Sequence, residues 1–174
     1  MEEKKLIFIS GFMGCGKTTQ GKKLAKEMGY HFIDLDDYIT SQQDKEITDL
    51  FQEIGEEEFR KIETKALQEC IEGNLKALIA TGGGTPCFND NLKLMKATGK
   101  VVYLKMAAED LYNRLFNAKQ ERPLLKDKAN DEMLVYIENL LKTREFFYNQ
   151  AHIITSGLTV DIEVLKNEIL NYTI

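Results

Sequence analysis

Residues 11–18 read Gly-Phe-Met-Gly-Cys-Gly-Lys-Thr and fill every fixed position of the phosphate-binding pattern G-x-x-x-x-G-K-[ST]. The apolar run Leu6-Ile7-Phe8-Ile9 precedes this stretch, and a helix-forming segment, 18–28, follows it. A buried strand, a glycine turn and a helix N-terminus in that order make an anion cradle. The first N–H groups of the helix have no partner within it and carry its positive end. Gly11, Gly14 and Gly16 let the main chain curl around an anion without Cβ clashes. Lys17 can then reach the β- and γ-phosphates of a nucleotide, and Thr18 can offer a hydroxyl to Mg²⁺. A glycine turn that merely starts a helix is the plain alternative. The complete set of fixed positions and the strand before them weigh against it.

Outward from this loop, strand-like runs at 5–10, 31–34, 77–81, 101–105 and 152–155 alternate with helical stretches. The helices are predicted at about 17–28, 46–54, 56–72, 89–97, 108–117, 130–149 and 160–171. The last begins with Thr159 as its expected N-cap and acids in its first turn. The first, third and fourth strand runs are almost continuously apolar, as parallel strands covered on both faces must be. The expected fold is therefore α/β: a three-layer αβα arrangement around a five-stranded parallel sheet. No repeat, low-complexity tract or linker divides the 174 residues, and one domain spanning 1–174 is expected.

Composition narrows the function classes. The chain carries 23 basic and 28 acidic residues, a net charge of −5. A nucleic acid or membrane surface held by bulk charge is not expected. An anionic small molecule must instead be gripped by a few placed cations. Cys15, Cys70 and Cys87 are odd in number and lack C-x-x-C spacing, which suggests neither a disulfide framework nor a zinc site. No targeting segment or apolar run of membrane-spanning length is apparent, so a cytoplasmic setting is the expectation.

Several residues stand out against this background. On the helix 130–149, Arg144 falls within about 20° of Met133, on the stripe formed with Ile137, Leu140, Leu141 and Phe147. Its stem can pack while its head reaches solvent. Alternatively, its planar fork points into a cleft to hold a carboxylate or phosphate. On helix 56–72, Glu63 lies on the apolar stripe of Phe59, Ile62, Ala66 and Cys70, with Arg60 three residues before it. A simple i,i+3 ion pair and a Glu that aims Arg60 at a ligand fit equally well. Asp34 and Asp36 end the second strand run, where alternation would point both to one side, at the strand edge where ligands bind in such sheets; a capping or turn cluster is the plain alternative. Asp37 is expected to be exposed. Gly82-Gly83-Gly84 follow the third strand and allow close approach of main chain to a ligand. Residues 118–129 form a highly charged loop that is either merely solvated or a functional lid. A lid would keep water from competing for a transferred phosphoryl group.

These segments together resemble the shikimate kinase family: G-F-M-G-C-G-K-T-T at 11–19, D-L-D-D at 34–37, G-E-E-E-F-R-K-I-E at 55–63, T-G-G-G-T at 81–85, E-R-P-L-L at 121–125 and K-T-R-E-F-F-Y at 142–148. Order and spacing agree over nearly the whole chain. The resemblance implies a P-loop kinase with an acceptor-binding region at about 34–63 and a lid at about 117–129. The implied activity is Mg²⁺-dependent transfer of the ATP γ-phosphoryl to the 3-hydroxyl of shikimate, by a monomer. It implies that Gly14, Cys15, Gly16, Lys17, Thr18 and Thr19 hold ATP, with Arg114 against adenine and Arg122 descending with the lid onto the phosphates. Thr18 and Asp34 would serve the metal. Asp36 would contact the acceptor hydroxyls and accept a proton. Arg60 and Arg144 would hold the shikimate carboxylate, Gly82, Gly83 and Gly84 would bracket the same molecule, and Phe51 and Phe59 would wall the pocket. Lys17, Asp36 and Arg122 are the expected catalytic set. Cys15 is expected to turn its side chain outward and take no part in catalysis.

The loop at 155–159, Thr-Ser-Gly-Leu-Thr, departs from the family pattern of a basic residue and a proline near adenine. Two rival readings remain. Another small-molecule kinase of the same fold, acting on gluconate or a nucleoside monophosphate, shares everything but the acceptor pocket. A nucleotide-binding interaction protein that had lost catalysis would be expected to lack Lys17, Thr18, Asp34 or Asp36, all of which are present.

Overall fold

The computed structural model describes residues 5–118 and 130–173. Its strands are β1 (Lys5–Ser10), β2 (His31–Asp34), β3 (Lys76–Ala80), β4 (Gly99–Lys105) and β5 (Ile153–Ser156). They form one parallel sheet in the order β2-β3-β1-β4-β5. The apolar run at 6–9 lies at its centre, with Phe8 opposite Ile79 on one side and Val101 on the other. Alternation divides that run between the two faces. Ile7 and Ile9 pack with Leu24, Leu111 and Ile137, while Leu6 and Phe8 pack with Leu35, Leu67 and Met95. All of these are almost wholly buried. Two apolar layers of this kind are the principal stabilising element of such a fold.

Seven helices flank the sheet in the described residues: α1 (Lys17–Met28), α2 (Leu35–Gln43), α3 (Ile47–Glu72), α4 (Asn91–Thr98), α5 (Ala108–Asn117), α6 (Asn130–Tyr148) and α7 (Ile162–Asn171). The break expected between 54 and 56 is present inside α3, where Gly55 adopts φ 77°, ψ 171°. Such a φ favours glycine and interrupts the helical ladder.

Two local expectations are corrected. The second strand does not run on to Asp36: it ends at Asp34, which caps α2 and accepts from the Asp36 N–H at 3.1 Å. Strand alternation therefore does not orient Asp36; the first turn of a helix does. At α7 the N-cap is Asp161, accepting from the Val164 N–H at 3.1 Å, rather than Thr159. A carboxylate at that position offers a better anion to the helix N-terminus than a hydroxyl two residues earlier.

The consequence for function is positional. The carboxyl ends of β1, β2 and β3 deliver the loop 11–16, the start of α2 with Asp34 and Asp36, and Gly82–Gly84 to the same rim of the sheet. No helix among the described residues is long and apolar enough to cross a membrane.

Candidate active site

One half of the site is main chain. Gly14 (φ 82°) and Gly16 (φ 98°) take conformations closed to most side chains, and they curl the loop between β1 and α1. Gly16 is the N-cap of α1, and no side chain caps that end. The free N–H groups there are available to an anion. Lys17 folds over the loop, its Nζ donating to the Gly11 and Phe12 carbonyls at 2.9 and 3.0 Å. The Thr18 hydroxyl donates to Asp34 Oδ2 at 2.6 Å, which brings the two expected metal ligands together across 16 residues of sequence. Among the described residues no group of three or more His, Cys, Asp or Glu could hold a metal by itself. One hydroxyl and one carboxylate, both hard oxygen donors, suit Mg²⁺, which takes its other ligands from phosphate and water. Thr19 is exposed on the first turn of α1.

Cys15 is not turned outward. It is fully buried, and its Sγ would lie 2.8 Å from a Cβ placed on Gly11. The thiol fills space in the core under the loop, where an apolar setting suits it better than water. Arg114, on α5, braces the loop from outside. Its guanidinium donates to the Gly14, Cys15 and Gly157 carbonyls at 3.5, 3.4 and 3.4 Å. The 155–159 loop thus meets the phosphate loop through this side chain. Arg122, and residues 119–129 of the lid expected at about 117–129, lie outside the described residues.

The other half is built from side chains on separate elements. Asp36 lies in the first turn of α2, its carboxyl pushed up to about 6, first by burial and then by the Asp34 charge, with Lys17 opposing. Glu63 of α3 is buried and fully engaged, accepting from Arg60 Nη1 at 2.8 Å and from the Thr85 hydroxyl at 2.6 Å. Arg60, 7 % exposed, is held further by Glu56 at 2.9 and 3.3 Å. Its guanidinium lies 4.3 Å from the Phe88 ring centre and 5.5 Å from those of Phe51 and Phe59. The Arg60–Glu63 pair is thus both an i,i+3 ion pair and the device that fixes the direction of the guanidinium. Phe51 and Phe59 stack at 4.2 Å beside it.

Gly82 and Gly84 answer to lack of space, not to φ, and Gly83 is in a tight setting. A Cβ on Gly82 would lie 2.8 Å from Glu63 Oε1 and 3.0 Å from Asp36 Oδ1. One on Gly84 would meet three guanidinium atoms of Arg60 at 2.5–2.8 Å. One on Gly83 would lie 3.3 Å from both Arg144 Nη1 and the Met13 main-chain nitrogen. Gly83 is therefore the seam between the two halves. Arg144 stands beside it, 5.6 Å over the Phe12 ring, and no carboxylate of the described residues pairs with it.

The structure accordingly brings Asp36, Arg60 and Arg144 together around Gly82, Gly83 and Gly84, and Gly83 in turn meets the phosphate loop at Met13. Sequence reasoning missed Glu56, Thr85, Phe88 and Tyr148. Glu56 was within reach, four residues before Arg60 on a helix. Thr85 and Phe88 carry no local signal, because their partners come from α3.

Comparisons with known proteins bear on the fold and the family. Residues 13–172 match the family model for shikimate kinase. A shikimate kinase of Azobacteroides pseudotrichonymphae is 52 % identical over 148 residues, 85 % of this chain and 87 % of that one. The crystal structure of a shikimate kinase from Bacteroides thetaiotaomicron superposes with a TM-score of 0.87 at 41 % identity, covering 94 % of this chain and 95 % of that one. A shikimate kinase from Acinetobacter baumannii in complex with shikimate gives 0.82 at 34 % identity, covering 97 % and 92 %.

Proposed function

We infer the activity from the premise that the chain belongs to the shikimate kinase family: it is an ATP-dependent kinase that phosphorylates the 3-hydroxyl of shikimate. The observation that carries the residue assignments is the convergence of one raised carboxyl, two arginines and three glycines opposite a phosphate loop. Shikimate is a small carboxylic acid with several hydroxyls. The arginines suit its carboxylate, and the glycines leave room for its ring against main chain.

In this reading the α1 N-terminus and Lys17 hold the ATP phosphates, with Gly14, Cys15, Gly16 and Thr19 contributing main chain or rim. Arg114 borders the nucleotide, and Arg122 adds positive charge from the lid. Thr18 and Asp34 serve Mg²⁺, which neutralises charge on the phosphates when bound. Asp36 orients the acceptor hydroxyl and takes its proton. A carboxyl raised to about 6 is a better proton acceptor than an ordinary aspartate while still mostly ionised at neutral pH. Arg60 and Arg144 grip the carboxylate and so fix which hydroxyl faces the phosphate. We propose further that residues 1–174 act as one unit, with the acceptor region at about 34–63 and the lid at about 117–129. A cytoplasmic monomer is the form proposed for it.

The test is ADP release from MgATP with shikimate, gluconate, AMP or no acceptor. Release that requires shikimate is expected. Release that requires another acceptor would keep the phosphate half and overturn the acceptor half. ATP binding with no acceptor-dependent release would revive the interaction-protein reading.

A further inference from the structure

Two buried tyrosines, Tyr103 on β4 and Tyr148 at the end of α6, stack with ring centres 4.9 Å apart, and neither ring is more than 1 % exposed. Their hydroxyls differ. That of Tyr103 finds no partner among the described residues. That of Tyr148 donates to the Gly83 carbonyl at 2.5 Å, across 65 positions of sequence.

The identity of that acceptor matters. Each carbonyl in the Gly82–Gly84 loop has a donor. Gly82 accepts from the Thr85 N–H at 3.2 Å and Gly84 from the Cys87 N–H at 2.8 Å, both local turn bonds. Gly83 alone of the three is held from a distant helix, the one that carries Arg144. Three successive glycines have no side chains to fix their path, so such tethers set it. Arg144 lies one helical turn before Tyr148, its Nη1 next to Gly83, and its charge also acts on the Tyr148 hydroxyl.

We propose that Tyr148 is a positioning residue for the acceptor: its hydroxyl holds the Gly83 carbonyl, and with it the glycine loop, in register with Arg144. The arginine and the loop then move as one body. This rests on the reading that both contact the shikimate carboxylate side. It assigns no contact between Tyr148 and the substrate itself.

The unpartnered neighbour supplies the control. Tyr148→Phe and Tyr103→Phe each remove one hydroxyl from the same stacked pair, and Arg144→Ala tests the underlying site. Tyr148→Phe should raise the shikimate KM about fivefold to tenfold, the loss expected of one hydrogen bond, while the ATP KM stays within about twofold. Tyr103→Phe should leave both KM values unchanged. Equal effects of the two phenylalanines, or a parallel rise in both KM values for Tyr148→Phe, would reduce Tyr148 to a packing residue and overturn the proposal. An unchanged shikimate KM in Tyr148→Phe with a raised one in Arg144→Ala overturns this inference alone. An unchanged KM in Arg144→Ala overturns the acceptor-site reading beneath it. Should Tyr148→Phe not fold, p-aminophenylalanine at position 148 restores a donor and should keep the wild-type shikimate KM; a tenfold rise there would also overturn the proposal.

Discussion

The phosphate loop and the proposed acceptor half of this site are built by different means. Residues 11–19 form the first almost unaided: glycine conformations, a helix end and one lysine, all within nine consecutive positions. The second is assembled from α2, α3, the loop after β3 and α6, and its parts are held by long-range contacts such as Thr85 to Glu63 and Tyr148 to Gly83. A contiguous motif can be moved among chemistries because it needs only a strand and a helix. An acceptor pocket built from four elements is specific because no one of them can change alone. Substitutions in the two halves should therefore fail in different ways.

The largest effect is expected at Lys17. Lys17→Ala should lower kcat by about 10²–10³-fold, the typical loss when one preorganised charge is removed from a transition state. Turnover near wild type would break the phosphate half. Next comes Arg144→Ala, which should raise the shikimate KM by about 10–100-fold, the range of a charge-assisted hydrogen bond, and spare the ATP KM. Gly84→Ala sharpens the comparison without touching a charge. Its Cβ falls on the Arg60 guanidinium, so it should push Arg60 off Glu63 and raise the shikimate KM by about tenfold. A wild-type KM would mean that Arg60 has slack. The smallest effect concerns stability and is measured in EDTA. The Asp36 carboxyl is raised from 3.8 to about 6, so folding favours its protonated form and loses stability as pH rises through about 6. That shift sets a ceiling of about 3 kcal/mol, and partial exposure reduces it to about 1 kcal/mol. Asp36→Asn should therefore raise Tm by a few degrees at pH 8. The gain should shrink towards zero as pH falls to about 4. A gain that is constant with pH would show that the carboxyl is not perturbed.

The same contrast explains what the sequence revealed. The strand order could not be read, but the strands, the P-loop and the break at Gly55 could, because each depends on local pattern or on a residue with special φ. Arg60, Glu63 and Arg144 were visible as charges on apolar stripes. The Arg60–Glu63 pair was visible with them, three residues apart on one helix; the Thr85 hydroxyl on Glu63 and the Phe88 ring over Arg60 were not, because both come from the segment after β3. Helix α2 was not predicted because Asp-Leu-Asp-Asp reads first as the end of a strand; the capping alternative is the one Asp34 takes. Cys15 was read as outward because a loop position gives no sign of the core beneath it. The glycine triplet was recognised as a site for close approach, yet the atoms that crowd a Cβ there, from Glu63, Asp36, Arg60 and Arg144, are set only by the tertiary fold.

The most direct test of the division between the halves is calorimetric titration of shikimate, and separately of a non-hydrolysable MgATP analogue, into the wild-type protein, Lys17→Ala and Arg144→Ala. A double dissociation is expected: Arg144→Ala loses shikimate affinity and keeps the nucleotide, and Lys17→Ala does the reverse. A variant that weakens both ligands by the same factor while remaining folded would contradict it.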